Sequence, residues 1–312
     1  MMNRVVVVGS YNVDMTITTD VLPKAGETVI GKSLHHGHGG KGANQALAAV
    51  RAGAEVSFFA KVGSDQYGQQ AITCLAREGI GSEYIFQEPD TATGMAFITV
   101  NNLGENSIVV SSGANWTLSE TDIENHAEIF SDADILLTQL ETPITSVAMA
   151  IKKARQNNLE VILNPAPAQS LTAEFLKDVS IITPNRVEAE LISGVSIRDD
   201  KSLADAANVI HSLGVEIVLI TLGDRGVFIS KNGEQQLLPA IKTKAIDTVG
   251  AGDVFSGYLA ANYSGLDNLL ETVTLASAAA SLSVTRIGAQ NAIPSLKEVN
   301  SYLKKHALLE KV

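Results

Sequence analysis

Short apolar runs alternate along this chain with longer stretches in which apolar positions recur every three or four residues. The runs Val5–Val8, Val56–Ala60, Asp134–Leu137, Glu160–Leu163, Ile181–Thr183 and Ile217–Thr221 are β-branched or aliphatic, the composition of parallel strands buried on both faces. Between them the period becomes helical. Ala43–Ala52 runs into Gly53, Gln69–Glu78 into Gly79 and Leu203–Leu213 into Gly214, while Ile144–Asn157 follows Pro143. This β-α-β rhythm predicts an α/β fold around a central parallel sheet.

Two regions break the rhythm. Residues 14–40 and 94–112 predict strands without helices: Met15–Thr19, Thr28–Ser33, Met95–Asn101 and Asn106–Ser111, the last two joined at Asn102-Leu103-Gly104. Four strands from two segments predict a small sheet standing off the main body, with a face that substrate or a second subunit must cover. A later hairpin, Val227–Ser230 and Gln235–Leu238 around Asn232-Gly233, predicts an antiparallel edge of the main sheet.

Composition narrows the class. With 312 residues, 45% of them hydrophobic and 18% charged, the chain can build a substantial core. A net charge of -11 argues against nucleic acid as a partner. The single cysteine, Cys74, leaves no internal disulfide and fits a reducing compartment. Met1–Ser10 lacks the layout of a leader, and no stretch approaches the ~20 apolar residues of a membrane span. The expected location is the cytoplasm.

The most informative segment is Asp247-Thr248-Val249-Gly250-Ala251-Gly252-Asp253-Val254-Phe255, a glycine turn opening a helix expected over Val254–Asn262. Glycines let backbone N–H groups approach an anion, and the positive end of the helix favours phosphate. The same field favours an ionised Asp253, ready to take a proton from a hydroxyl. Asp253 as an ordinary N-cap is the competing reading. Gly39-Gly40-Lys41-Gly42-Ala43-Asn44-Gln45 leads into a second helix with Lys41 and Asn44 as donors, and Asn12 and Asp14 follow the strand Val5–Val8, where ligands of open α/β sheets bind. By contrast, Gly26-Glu27-Thr28-Val29-Ile30-Gly31-Lys32-Ser33 fits the G-x-x-x-x-G-K-[ST] phosphate loop letter for letter. Pro23 before it, its β-branched interior and the unhelical residues 34–40 after it argue that the match is accidental.

Together with Asn164-Pro165-Ala166-Pro167-Ala168, Thr183-Pro184-Asn185 with Glu188, and Thr221-Leu222-Gly223, these motifs recur in the order of the signatures of the PfkB sugar kinases, a family that the sequence resembles over nearly its whole length. The resemblance implies one doubly wound α/β domain over residues 1–312 with a mostly parallel central sheet, a β-sheet lid formed by about 14–40 and 94–112, and a homodimer through the lids. It implies ATP-dependent phosphorylation of the 5-hydroxyl of a pentose, D-ribose, with Asp253 as general base and the Gly250, Ala251 and Gly252 amides as anion hole. Asn12, Asp14, Gly40, Lys41, Asn44 and Glu141 correspond to sugar ligands. Asn185 and Glu188 match a motif associated with Mg²⁺ and phosphate, and Thr221 and Gly223, with Gly252, match nucleotide contacts. A K⁺ site is implied at Asp247 with the carbonyls of Val249, Ser283, Arg286 and Gly288. Two departures stand out: Asn291-Ala292 where the family often has a serine, which removes one oxygen from the cation site, and Arg186-Val187 inside the Asn-x-x-Glu motif, which brings a cation near the phosphates. Alternatives are another acceptor within the family, such as another sugar, deoxyribose or a nucleoside, or a non-catalytic sugar sensor.

His35, His36 and His38 alternate on an expected lid strand without cysteine or carboxylate neighbours, a poor zinc set. Cys74 falls in an amphipathic helix and is expected as a buried structural thiol. Trp116 and the scattered tyrosines make no evident stacking platform.

Overall fold

Along the first strand the side chains divide between two cores: Val5 and Val7 enter one, Val6 and Val8 the other, and all are buried. The division repeats at Ile162 against Val161 and Leu163, and at Leu219 against Val218 and Ile220. The main sheet is therefore the middle of three layers, which is why its strands read as unbroken apolar runs. The computed structural model describes residues 2–231 and 233–306, so Asn232 of the predicted hairpin turn lies outside the described residues.

The strands are β1 (Arg4–Val8), β2 (Asn12–Thr18), β3 (Ser33–Gly39), β4 (Glu55–Gly63), β5 (Ile85–Glu88), β6 (Gly94–Val100), β7 (Asn106–Ser111), β8 (Ile135–Thr138), β9 (Glu160–Leu163), β10 (Ile181–Ile182), β11 (Ile217–Thr221), β12 (Val227–Lys231) and β13 (Glu234–Leu238). Nine form the main sheet in the order β13-β12-β11-β10-β9-β8-β1-β4-β5, parallel except for the β11-β12-β13 meander at one edge. The helices are α1 (Lys41–Arg51), α2 (Gln66–Arg77), α3 (Glu120–Asn125), α4 (Ile144–Gln156), α5 (Ala173–Leu176), α6 (Arg186–Ser193), α7 (Asp200–Ser212), α8 (Ala251–Asn262), α9 (Leu269–Ser283) and α10 (Leu296–Lys305). Buried residues of α1, α2, α8, α9 and α10 join one core, and those of α3 to α7 the other. This is a doubly wound α/β fold. The remaining strands make a separate sheet, β3-β2-β6-β7.

Several expectations need correction. Thr28–Ser33 is not a strand: residues 28–31 are irregular, and the strand is Ser33–Gly39, paired with β2 from Thr18↔Ser33 to Asn12↔Gly39. Its histidines and glycines gave no β signal, but a Cβ at Gly39 would stand 2.4 Å from both carboxylate oxygens of Asp14, so a larger residue there would have to displace that carboxylate. The phosphate-loop lookalike Gly26–Ser33 accordingly runs into a strand. Helix α2 starts three residues earlier than expected because Asp65 caps it, accepting from Gly68 N at 2.8 Å. Helix α8 also starts earlier, at Ala251, so Asp253 belongs to its first turn. Helix α9 was not foreseen, being apolar or small nearly all round and without an amphipathic period. Cys74 is half-buried.

Helices α1 and α8 approach unusually closely. A Cβ at Gly257 would meet the Ala48 Cβ at 2.5 Å, Gln45 O at 2.5 Å and Ala49 N at 2.9 Å. Alanine gains about 1 kcal/mol over glycine in helix propensity, whereas overpacking against atoms that cannot swing away costs about 1–3 kcal/mol. Gly257→Ala should therefore lower stability in a urea titration; a midpoint at or above that of the parent chain would show the contact to be slack.

Candidate active site

The site lies at the carboxyl ends of β1, β8, β9 and β10, where the strand order reverses: β1 connects through β2, β3 and α1 to β4 on one side, while β8 flanks it on the other. Two glycines bring the start of α1 down onto the end of β1. Gly40 has φ +86°, and a Cβ on it would fall 2.7 Å from Asn12 N; one on Gly42 would fall 2.5 Å from Ser10 N. Glu141, just past β8, is pinned at this junction by the Ser10 hydroxyl, which donates to Oε2 at 2.5 Å, and by Lys41 N, which donates to the same oxygen at 3.0 Å. A carboxylate suits the first turn of α1. Asn12 is buried, its Oδ1 accepting from Asn115 Nδ2 at 2.8 Å, and Asn115 also bonds both backbone groups of Tyr11.

Opposite α1 stands the start of α8. Gly250 adopts φ +75° as its N-cap, a conformation that only glycine takes without strain. Asp253, 6% exposed, points at α1: Asn44 Nδ2 donates to Oδ2 at 3.0 Å and Gln45 Nε2 to Oδ1 at 2.9 Å. The carboxylate thus meets side chains of another helix, as the simple N-cap reading did not foresee. Beside it, nothing lies within 4 Å of where a Gly252 Cβ would be, leaving open space at the positive end of α8.

The charges are coupled. Burial, reinforced by Glu141 and Asp253, raises the Asp14 carboxyl to about 6. The negative charge of Asp253 holds Lys41 protonated against burial, with Glu141 and Glu188 adding to it. Burial raises Glu188, opposed by hydrogen bonds from Asn185.

Further along the strand ends, Asn185 and Glu188 open α6 as a reciprocal capping box, with Asn185 N to Glu188 Oε2 at 2.8 Å and Glu188 N to Asn185 Oδ1 at 2.9 Å. Thr221, at the end of β11, bridges to Asn185 and donates from N to Pro184 O at 2.8 Å, and Gly223 beyond it has φ +60° in open space. Arg186 pairs instead with Glu190 at 3.3 Å on the exposed side of α6. The Asp247 carboxylate joins two loops, accepting from Val249 N at 3.0 Å and Gly288 N at 2.9 Å, and Ser283 O accepts from Arg286 N at 3.0 Å. Ala292 is buried and offers no oxygen from its side chain.

Sequence reasoning missed Gln45 as a partner of Asp253, 208 positions away, and the supporting roles of Ser10 and Asn115. A cavity of about 360 Å³ is lined by Asn12, Glu141, Val110, Pro167 and Trp116. His38 bonds the Tyr11 hydroxyl through Nδ1, while His35 and His36 are exposed. Among the described residues no helix is long and apolar enough to cross a membrane.

The model of the pfkB family carbohydrate kinases matches residues 2–296. A ribokinase of Haemophilus influenzae is 42% identical over 304 residues, covering 97% of this chain and 99% of that protein. A deoxyribokinase of Salmonella typhi is 34% identical over 300 residues, covering 96% and 98%. The solved structure of Arabidopsis thaliana ribokinase complexed with ribose and ATP matches with a TM-score of 0.90 at 31% identity, covering 97% of this chain and 99% of that one. Family and relatives together make this chain a phosphotransferase acting on an alcohol group. The chain belongs to the pfkB family of carbohydrate kinases.

Asp14 yields a test of the site's electrostatics. Its folded carboxyl titrates near 6 against an ordinary 3.8, so the folded state binds the proton more tightly and this group's contribution to stability falls as pH rises from about 4 to about 6. Asp14→Asn should raise the melting temperature of the ligand-free protein at pH 7.5, with the gain shrinking toward pH 4. A gain independent of pH, or a loss at pH 7.5, would contradict the assignment.

Proposed function

We propose that the chain transfers the γ-phosphoryl group of ATP to the 5-hydroxyl of D-ribose. The observation that carries this reading is the buried Asp253 carboxylate, oriented by Asn44 and Gln45 at the open N-terminus of α8. Asp253 takes the proton of the 5-hydroxyl while the bond from that oxygen to phosphorus forms and the bond to ADP breaks. A positioned base contributes about 10²–10⁴-fold. The amides of Gly250, Ala251 and Gly252 receive the charge on the transferring group, a contribution of roughly 10²–10³-fold for a preorganised donor. Asn12, Asp14, Gly40, Lys41, Asn44 and Glu141 hold the remaining hydroxyls, and a buried polar group left unpaired rejects a sugar lacking one. This favours ribose over deoxyribose, in keeping with the higher identity to the Haemophilus ribokinase than to the Salmonella deoxyribokinase.

Asn185, Glu188, Thr221, Gly223 and Gly252 form the nucleotide side. Lys41 stands among three carboxylates, Glu141, Glu188 and Asp253, so a triphosphate needs added positive charge. Glu188 would hold Mg²⁺ together with phosphate oxygens, and the ion neutralises phosphate charge when bound. Asp247 with the carbonyls of Val249, Ser283, Arg286 and Gly288 fits K⁺, since one carboxylate among neutral oxygens suits a singly charged hard ion. The lid carries Ile17, Leu34, Phe97 and Val109 exposed, and strand register puts all four on the face away from Asp14, the face we assign to a second copy of the chain.

A coupled ADP-release assay over ribose, deoxyribose, fructose, fructose 6-phosphate and adenosine should give ribose the highest kcat/KM, with deoxyribose at least ~10-fold lower. Asp253→Asn should cut kcat by ~10² or more while ribose binding is kept; turnover like that of the parent would refute the base. Replacing K⁺ by Na⁺ should slow the enzyme, and sedimentation should give a two-subunit mass; indifference to the ion or a monomer would remove those two assignments.

A further inference from the structure

We infer that Gln45 is a positioning residue for Asp253, locked with its amide donor on the carboxylate by a relay of side chains crossing the ends of the central strands. The inference rests on the reading of Asp253 as general base. Gln45 and Gln139 are fully buried and Asn164 is 6% exposed. Both hydrogens of Gln45 Nε2 are committed, one to Asp253 Oδ1 at 2.9 Å and one to Asn164 Oδ1 at 3.1 Å. Gln45 Oε1 accepts from Gln139 Nε2 at 2.7 Å. Asn164 is fixed in turn by donating from Nδ2 to Thr183 O at 3.1 Å.

These anchors are the first residues past their strands: Gln139 past β8, Asn164 past β9 and Thr183 past β10. The relay is therefore seated on three adjacent strands in the middle of the main sheet. It also decides which way the Gln45 amide faces. With Gln139 donating to the oxygen and Asn164 accepting from the nitrogen, a flipped amide would lose both partners and turn its oxygen toward the Asp253 carboxylate.

The two amides that touch Asp253 have different freedom. Asn44 Oδ1 is buried with no hydrogen-bond partner, so the Asn44 side chain has an acceptor left for a substrate hydroxyl. Gln45 has no group to spare, and holds the carboxylate whether or not sugar is bound. A neutral donor also stabilises the ionised carboxylate without adding a cation that would compete for phosphate. Charged groups face this carboxylate from three other elements, Asp14 on β2, Glu188 on α6 and Lys41 on α1, and each of them feels its charge.

Gln45→Met keeps length and bulk but removes the donor. It should lower kcat by about 10–100-fold, the scale of a lost hydrogen bond to a charged group, and move the acid limb of the kcat–pH profile upward by about one pH unit. Ribose affinity, followed through the fluorescence of Trp116, the chain's single tryptophan, should change less than threefold. Gln139→Met does not touch Asp253 yet unlocks the amide, so it should move the acid limb in the same direction by less, and it carries the test if Gln45→Met fails to fold. Acid limbs superimposed on that of the parent enzyme in the folded variants would overturn the inference. An Asp253→Asn enzyme with full turnover would instead remove the underlying base assignment, so the two failures are distinguishable.

Discussion

The site depends on the contact between α1 and α8. Asp253 and Gly257 are four residues apart and share a face of α8, so the glycine that lets the helices touch stands one turn from the carboxylate that must reach Asn44 and Gln45. Alanines at 48 and 49 keep the facing surface of α1 low, and both are buried. A methyl group added at Gly257 would have to push the two helices apart one turn from that carboxylate. Core packing and active-site geometry are here the same interaction.

Around that contact, each polar group of the proposed site is fixed by something the fold already needs. Glu141 binds the first amide of α1 and the Ser10 hydroxyl, tying β8 to β1. Asn185 and Glu188 begin α6 by capping each other, and Asp247 closes one loop on another. Such groups need little reordering when a ligand arrives, which is how a polar site avoids the cost of arranging dipoles during the reaction.

Much of this was legible in the chain. The valine and isoleucine runs marked buried strands, and Gly250, Gly252 and Asp253 announced a helix start fit for an anion. Three kinds of information were not local. The strand Ser33–Gly39 is set by pairing with β2 and by the volume of the Asp14 carboxylate, neither written in its own composition. Helix α9 is buried on nearly every side, which erased the periodicity that would have marked it. The partnership of Gln45 with Asp253 spans most of the polymer, and only the crossing of two helices creates it. The overlooked helix starts are a smaller matter: Asp65 and Asp199 cap α2 and α7, signals present in the sequence but weaker than the apolar period that follows them.

One feature of the strand layout bears on how a guest would be held. Asn12 and Asp14 belong to β2, in the small sheet, whereas Asp253 belongs to a helix packed on the large one, and only Gly9, Ser10 and Tyr11 separate β1 from β2. A molecule gripped at both places spans a joint and stiffens it, like a bolt through a hinge. A lone water molecule touches one leaf at a time, so under the proposed reading it could not brace the two sheets as a sugar would.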